Sequence, residues 1–372
     1  MTLNASTVSA GTALETLRAG WAAQAAGKMT TSWMLHGAPG VGKTQVVGQL
    51  AKEIGARLFD LRLTTIEPQD LRGLPYYDHA TQKTIWYRPE DLPDDPETPA
   101  ILFLDELTAA PPMLQPTVYG LLQERRVGTH RLPDSVMVIA AGNSADDGAV
   151  AYEMGTALSD RLIHLRVVAA ASDWLENYAV PRALHPAVIA FIRSRGDLLD
   201  TGETALAKGD IIAATPRSWE KVSQILHTKP DRRLRDVLVA GTVGSAAAAE
   251  FALVADEVAA SIRIDDLLSA DAKSRVALYP AGLNALYGLV YGLVGAFNAE
   301  RARSVIDLMA EIGRLADLRP EPEFQRLPLA ELRTHGFELL IARGLGLGLE
   351  DAFLDSPAYT TYAAEREAAG VA

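Results

Sequence analysis

The short stretch of residues 37–44 constrains the fold of this chain more than any other part of the sequence. It reads Gly-Ala-Pro-Gly-Val-Gly-Lys-Thr and fits the pattern GxxxxGK(S/T) of a phosphate-binding Walker A loop. Residues 32–36 before it are apolar and predict a strand, and residues 43–54 after it have apolar positions at helical spacing. A glycine-rich turn with a chance lysine is the alternative, but the flanking strand and helix favour the phosphate loop.

Each residue type in this loop has a physical reason to be there if a nucleotide binds. Glycines permit positive φ angles, so that backbone N–H groups can close around phosphates, and the helix N-terminus adds partial positive charge. The ammonium group of Lys43 would contact the β- and γ-phosphates, and the hydroxyl of Thr44 would bind Mg²⁺. We therefore predict ATP and Mg²⁺ as cofactors, held by Gly37, Ala38, Pro39, Gly40, Val41, Gly42, Lys43 and Thr44.

A second motif, residues 101–106, is an apolar run that ends in two carboxylates, as in a Walker B strand. Asp105 would hold Mg²⁺ together with Thr44, and Glu106 would polarise the attacking water. A strand end that merely meets solvent is the alternative. Downstream of a phosphate loop, with strands and helices between the two motifs, the catalytic interpretation is favoured.

A third apolar run, residues 138–143, ends in the amide of Asn143. An amide at this place could orient the attacking water and contact the γ-phosphate, whereas in isolation it would more simply cap a turn. Beside the other two motifs, the site role is favoured.

The order of apolar runs predicts an α/β fold, a P-loop parallel sheet core followed by helices. Strands are expected over residues 32–36, 57–63, 100–104, 136–141 and 162–168. Helices are expected over residues 5–30, 43–54, 113–123, 185–195, 216–226, 233–258 and 299–315. We expect three domains: residues 1–172 as the nucleotide-binding domain with an insert at about 66–92, residues 173–265 as a helical lid, and residues 266–372 as a helical C-terminal extension.

Composition excludes several classes of function. The chain has no cysteine, so disulfides, thiol catalysis and thiolate metal sites are excluded. Its net charge of −12 argues against general attraction to nucleic acid. No signal peptide is visible in the first twenty residues, and we expect a cytoplasmic protein. Residues 276–297 carry no charge, but Pro280 and several glycines interrupt them, so a buried or subunit-packing helix is favoured over a membrane span.

Together these motifs resemble the AAA+ superfamily and, within it, the MoxR-type ATPases, over about residues 10–265. Four further segments carry the resemblance: residues 67–75 at the start of the helix-2 insert, 121–127, 157–162, and 215–219 in the lid. The resemblance implies that Asn143 is the sensor 1 residue, that Arg161 is an arginine finger acting on the neighbouring subunit, and that Arg217 is the sensor 2 arginine that contacts nucleotide. A surface or ion-paired arginine is the alternative for each of the two arginines. Residues 146–155 and Leu162 depart from the family pattern.

The resemblance also implies a function: ATP hydrolysis that drives remodelling or chaperone-like activation of a protein client by a ring-shaped homo-hexamer, with a von Willebrand factor A domain protein as partner. Two exposed hairpins, one at residues 78–83 within the insert and one at 128–134, are candidate client contacts, although the aromatics Tyr76, Tyr77, Trp86 and Tyr87 could instead pack the insert onto its own domain. A nucleic-acid motor or loader is the alternative, supported only by His130 and Arg131 in the second hairpin.

Overall fold

The computed structural model describes residues 4–143, 159–261 and 264–368. The chain divides into two compact units. The first unit contains Met1–Ala170, Thr201–Ile211 and Thr215–Arg217, and the second contains Ala171–Asp200, Ile212–Ala214 and Ser218–Ala372. The division of the sequence into domains 1–172, 173–265 and 266–372 stays a prediction.

A six-stranded parallel sheet forms the centre of the first unit, in the order β1-β10-β2-β9-β6-β3. The strands of the chain are β1 Thr7–Val8, β2 Ser32–His36, β3 Arg57–Arg62, β4 Pro75–Asp78, β5 Lys83–Trp86, β6 Ala100–Asp105, β7 Arg126–Val127, β8 His130–Arg131, β9 Val136–Gly142 and β10 Leu162–Val167. The three central strands are continuous apolar runs because helices cover both faces of a parallel sheet. The predicted α/β class with a helical C-terminal part is confirmed.

The helices that cover this sheet are α1 Ala10–Ala25, α2 Lys43–Glu53, α3 Pro68–Arg72 and α4 Gln115–Glu124. Residues of α1 and α2, among them Leu17 and Leu50, share one apolar core with one face of the sheet. Leu121 of α4 belongs to a second core on the other face. The sheet is therefore buried on both sides, which leaves its carboxyl edge as the place where polar loop residues collect.

The N-terminus differs from the helix predicted over residues 5–30. Thr7 and Val8 instead form the edge strand β1, paired with β10, and the helix begins only at Ala10. The reason is local: the hydroxyl of Ser9 accepts a hydrogen bond from the backbone N–H of Thr12 at 3.2 Å and so caps the helix. The β-branched pair Thr7 and Val8 suits a strand better than a helix.

Two short antiparallel hairpins lie outside the main sheet, as predicted. Strands β4 and β5 form the hairpin of the helix-2 insert, with Asp78 opposite Lys83 at its end. Strands β7 and β8 form the second hairpin, immediately before β9.

From residue 171 onward the described chain is helical. The helices are α5 Ala171–Trp174, α6 Pro186–Ser194, α7 Gly202–Lys208, α8 Pro216–His227, α9 Arg232–Val243, α10 Ser245–Ser261, α11 Ile264–Ser269, α12 Ala272–Val276, α13 Leu283–Ala296, α14 Ala302–Ile312, α15 Leu315–Leu318, α16 Leu329–Leu347, α17 Asp351–Leu354 and α18 Pro357–Ala368. The single helix predicted over residues 233–258 is wrong, because Gly244 breaks it with a φ of 85°. Glycine adopts this left-handed conformation without a steric penalty.

Helix α13 is the uncharged segment of the sequence, and it is buried within the second unit. It packs against α6, α10 and α16. A methyl group on Gly292 would lie 2.3 Å from the Cδ1 atom of Ile264, so the glycine permits a close approach between α13 and α11. Across the described ranges, no helix combines the length and the apolar character that crossing a membrane would need.

Candidate functional site

The phosphate loop lies between β2 and α2, at the carboxyl edge of the sheet. Gly40 has a φ of 87°, a conformation that residues with a Cβ atom rarely adopt. A Cβ atom on Gly37 would lie 2.3 Å from the carbonyl oxygen of Val167 in β10, so the chain passes too close to the neighbouring strand for a side chain. Helix α2 begins after Gly42 without a side-chain cap, which suits an N-terminus that receives an anion.

Lys43 points back over the loop. Its ammonium group donates hydrogen bonds to the carbonyl oxygens of Gly37 at 2.6 Å and Ala38 at 3.0 Å, and to Oδ1 of Asn143 at 3.0 Å. The side chain is buried, with 8% of its surface exposed. The structure therefore brings together Lys43 and Asn143, which lie 100 residues apart in the sequence.

Thr44 and Asp105 form the oxygen-rich part of the site. The hydroxyl of Thr44 lies 3.4 Å from Oδ2 of Asp105, and Oδ1 of Asp105 accepts a hydrogen bond from the backbone N–H of Glu106 at 2.9 Å. A hydroxyl and a carboxylate are hard oxygen donors, the ligands that Mg²⁺ prefers. The residues present fit a magnesium ion, and Thr44 and Asp105 would hold it.

Glu106 follows β6 in the left-handed region, with a φ of 60°. Its carboxylate accepts a hydrogen bond from the hydroxyl of Thr64, and its Oε1 atom lies 3.7 Å from Nε of Arg62. Sequence analysis missed both partners. The register pairs Arg62 with Asp105, but that pairing depends on β3 being the neighbour of β6, which no local sequence pattern reveals.

A further carboxylate, Asp60, lies two residues before Arg62 on β3. Burial and the nearby charge of Asp105 raise its pKa, although Arg62 opposes the shift. Because β3 runs parallel to β6, this strand adds both an acidic and a basic group to the surroundings of the Walker B motif.

Asn143 immediately follows β9, the strand between β6 and β2. The hydroxyl of Thr108 donates a hydrogen bond to the backbone carbonyl of Asn143 at 2.9 Å, so the backbone is held while the side-chain oxygen accepts from Lys43. The amide therefore faces the loop.

The segment Thr215–Arg217 belongs to the same compact unit as the phosphate loop. A Cβ atom built on Gly40 would lie 2.9 Å from the hydroxyl oxygen of Thr215 and 3.5 Å from the Cβ atom of Arg217. The backbone that carries Arg217 therefore runs directly against the loop, and the guanidinium is exposed.

Arg161 lies elsewhere. It immediately precedes β10, is exposed, and its Nη1 atom donates to Oε1 of Gln123 in α4 at 2.5 Å. The structure does not show it in contact with the loop residues of its own chain. Residues 157 and 158 of the same motif lie outside the described residues.

Two histidines, both missed by sequence analysis, connect the loop strand with the Arg161 segment. Nε2 of His36, the residue before Gly37, lies 2.8 Å from Nδ1 of His164 on β10, and Nε2 of His164 lies 2.9 Å from the carbonyl oxygen of Ser159. Burial, together with the charges of His164 and Lys43, lowers the pKa of His36 to about 4. His36 is therefore neutral at physiological pH.

The helix-2 insert exposes aromatic side chains and is tied to the second hairpin. Tyr77 is 77% exposed, and the rings of Tyr76 and Tyr87 stack with centroids 4.3 Å apart. Arg88 donates from Nη1 and Nη2 to the carbonyl of Arg131 at 3.3 Å. Nε2 of His130 also lies 3.2 Å from the carbonyl of Arg72, whose guanidinium covers the ring of Trp86 at 4.2 Å.

A parallel sheet with a GxxxxGK(S/T) loop between a strand and a helix is the arrangement of the P-loop fold class. Residues 32–162 match the family model of the AAA domain (dynein-related subfamily), so this part of the chain is similar to that domain. The match contains the Walker A loop, the Walker B strand, Asn143 and Arg161.

Two curated relatives share sequence with parts of this chain. The mouse ATPase family gene 2 protein homolog B is 35% identical over 105 residues, which cover 28% of this chain and 12% of that protein. The Bacillus subtilis (strain 168) protein YeaC is 28% identical over 186 residues, which cover 48% of this chain and 52% of that protein. The chain thus spans only part of the length of either relative.

Among solved structures, the Holliday junction branch migration motor RuvB of Thermotoga maritima is similar over 77% of this chain and 82% of its own, at 15% identity and a TM-score of 0.32. NtrX from Brucella abortus in complex with ADP is similar over 89% of this chain and 68% of its own, at 16% identity and a TM-score of 0.34. Both TM-scores lie below 0.5.

Proposed function

We propose that this protein is a Mg²⁺-dependent ATPase, similar to the MoxR-type AAA+ proteins, that remodels or activates a protein client as a ring-shaped homo-hexamer. The observation that carries the proposal is the convergence of Lys43, Thr44, Asp105 and Asn143 at one edge of the parallel sheet. Strands β2, β6 and β9 are adjacent, so their carboxyl ends present a cation, an amide and an oxygen pair to the same space.

The chemistry follows from what each side chain can do. Lys43 would exchange its bonds to loop carbonyls for bonds to phosphate oxygens, where its charge is neutralised. Asn143 would then orient the water that attacks the γ-phosphate, and Glu106 would accept a proton from that water. The carboxylate of Glu106 must leave Thr64 to do so. Bound Mg²⁺ would neutralise charge that develops on the phosphates.

In this proposal, Arg217 and Arg161 of one chain act on nucleotides bound to two different subunits. Arg217 would act on the nucleotide of its own chain, because Thr215–Arg217 lies against Gly40. Arg161 would act on the neighbouring chain, because it is exposed and bonded to Gln123 rather than to the loop. A guanidinium at the γ-phosphate stabilises the transition state, so each site would be complete only in the assembled ring.

The client would be a protein that contacts the two hairpins. Tyr77 and Tyr87 are exposed aromatics, which favour contact with another protein. Three basic groups nearby are already engaged: Arg72 covers Trp86, Arg88 bonds to backbone carbonyls, and Arg126 pairs with Glu124 at 2.6 Å. This engagement disfavours a nucleic-acid motor. A von Willebrand factor A domain protein as partner follows from the resemblance alone.

A pair of lysines on α2 tests the nucleotide site. Lys43→Ala removes the buried cation of the loop, whereas Lys52→Ala removes an exposed lysine in the last turn of the same helix. We expect calorimetry to show no ATP binding for Lys43→Ala and unchanged binding for Lys52→Ala. Glu106→Gln should bind ATP and turn it over about 10²-fold more slowly, the range for a positioned general base. Unchanged ATP affinity in Lys43→Ala would contradict the proposal.

A further inference from the structure

We propose that His164, oriented by His36, is a positioning residue for Arg161: it clamps the backbone turn that carries this arginine and thereby fixes where its guanidinium is presented. The inference rests on the proposed action of Arg161 in the neighbouring subunit. It assigns roles to His36 and His164, which are outside the Walker motifs.

The first step is the clamp itself. Nε2 of His164 lies 2.9 Å from the carbonyl oxygen of Ser159, so the bond closes a short loop over residues 159–164 that contains Arg161. His164 sits within β10, where the register pairs it with Met34 of the central strand β2. A side chain anchored in the sheet thus holds the far end of the turn, and the freedom of the arginine backbone is reduced.

The second step is the orientation of the imidazole. A carbonyl oxygen only accepts hydrogen bonds, so Nε2 of His164 must carry the proton, and in the neutral ring Nδ1 is then the acceptor. His36 Nε2, 2.8 Å away, must then be the donor. The ring centroids lie 5.1 Å apart and the ring planes are inclined by 20°, as a hydrogen bond between the edges of the two rings requires. His36 therefore fixes the tautomer of His164 that can reach Ser159.

The guanidinium of Arg161 is held as well. Nη1 of Arg161 donates to Gln123, at the end of α4, so the residue is held from two sides: backbone by His164 and guanidinium by Gln123. A charge that must reach a phosphate across a subunit boundary depends on such placement, because a misplacement of about 1 Å can cost roughly 10²-fold in rate.

The test uses co-expressed rings built from two inactive chains. In the reference ring, a Lys43→Ala chain supplies Arg161 to the intact loop of an Arg161→Ala chain, and we expect activity. In the second ring, His164→Leu is added to the Lys43→Ala chain, which supplies the arginine. In the third, His164→Leu is added to the Arg161→Ala chain, which binds the nucleotide.

We expect at least a tenfold loss of ATPase activity in the second ring and none in the third, because only the arginine donor needs the clamp. Equal activity in all three rings would overturn the proposal. An equal loss in the second and third rings would also overturn it, because His164 would then have a structural role in both chains. An inactive reference ring would instead overturn the action of Arg161 across subunits, together with the clamp. Ring assembly is checked by mass.

A conservative variant protects the test against a folding defect. His164→Gln keeps an N–H donor that can reach the carbonyl of Ser159, whereas His164→Leu does not. In the second ring we therefore expect His164→Gln to retain more activity than His164→Leu at equal thermal stability. Equal losses for the two variants would overturn the clamp.

Discussion

The contact between the phosphate loop and the segment Thr215–Arg217 can be tested by adding one methyl group, in Gly40→Ala. The new Cβ atom would lie 2.9 Å from Oγ1 and 3.1 Å from Cβ of Thr215, both too close for real Cβ atoms without movement. Gly42→Ala is the matched control in the same loop. Gly42 also has a positive φ, 106° against 87°, but its nearest neighbours would be 3.6 and 3.7 Å away.

The magnitudes follow from these distances. Both substitutions place a side chain in the left-handed region, which costs about 1–2 kcal/mol of folding free energy. Only Gly40→Ala adds overpacking against a neighbour, which typically costs a further 1–3 kcal/mol or so. At roughly 2–4 °C per kcal/mol, Gly40→Ala should melt at a lower temperature than Gly42→Ala by about 2–12 °C.

The assay is thermal unfolding of the nucleotide-free protein, extended to a double-mutant cycle with Thr215→Gly. That substitution removes both clashing atoms, so it should recover most of the overpacking cost in Gly40→Ala and none of the cost in Gly42→Ala. If the two alanine variants have the same melting temperature and Thr215→Gly raises neither, then Thr215 does not lie against the loop. The structural case for Arg217 at the nucleotide would fall with it.

Three further predictions test other parts of the molecule. Arg217→Ala should weaken nucleotide binding in calorimetry but leave the melting temperature nearly unchanged, because its side chain is exposed; unfolding would mark a structural arginine. Thr64→Val should raise basal ATP turnover about tenfold, because it releases Glu106 from its hydrogen bond. The control Thr65→Val loses only a bond to the carbonyl of Arg62 and should leave turnover unchanged. A fall in the turnover of Thr64→Val would contradict this prediction. His185 caps a helix through Nδ1, and burial, together with the charge of His227, lowers its pKa to about 4. Its neutral form therefore contributes stability that is complete above about pH 6.5 and is lost as the pH falls towards 4, by at most about 3 kcal/mol. The denaturation midpoint of His185→Asn should accordingly depend less on pH over this range, and a pH dependence equal to that of the wild type would refute the role.

Much of the fold was predictable because strands buried on both faces are continuous apolar runs. Strands β2, β6 and β9 could be located from such runs, and the Walker A loop from the chemistry of its own residues. The break at Gly244 was missed because a run of alanines follows it and because glycine is tolerated within many helices, as Gly241 is in α9.

The contacts around the candidate site were harder to predict, since they depend on which strands are neighbours. Thr64 meets Glu106 across 42 residues of sequence, and His36 meets His164 across 128. Neither pair belongs to a local motif. Lys43 and Asn143 were each assigned to the site separately, but their direct hydrogen bond appears only in three dimensions.

The bonds that join the two hairpins affect how a client-binding surface can be mapped by genetics. Arg88 contributes its guanidinium to the backbone of the second hairpin, and His130 of that hairpin returns a bond to the insert. A deletion in either hairpin would therefore loosen the other, and the two deletions would give the same phenotype whichever hairpin touches the client. Substitutions at exposed side chains outside these bonds, such as Tyr77, would give separable phenotypes and so show which hairpin makes the contact.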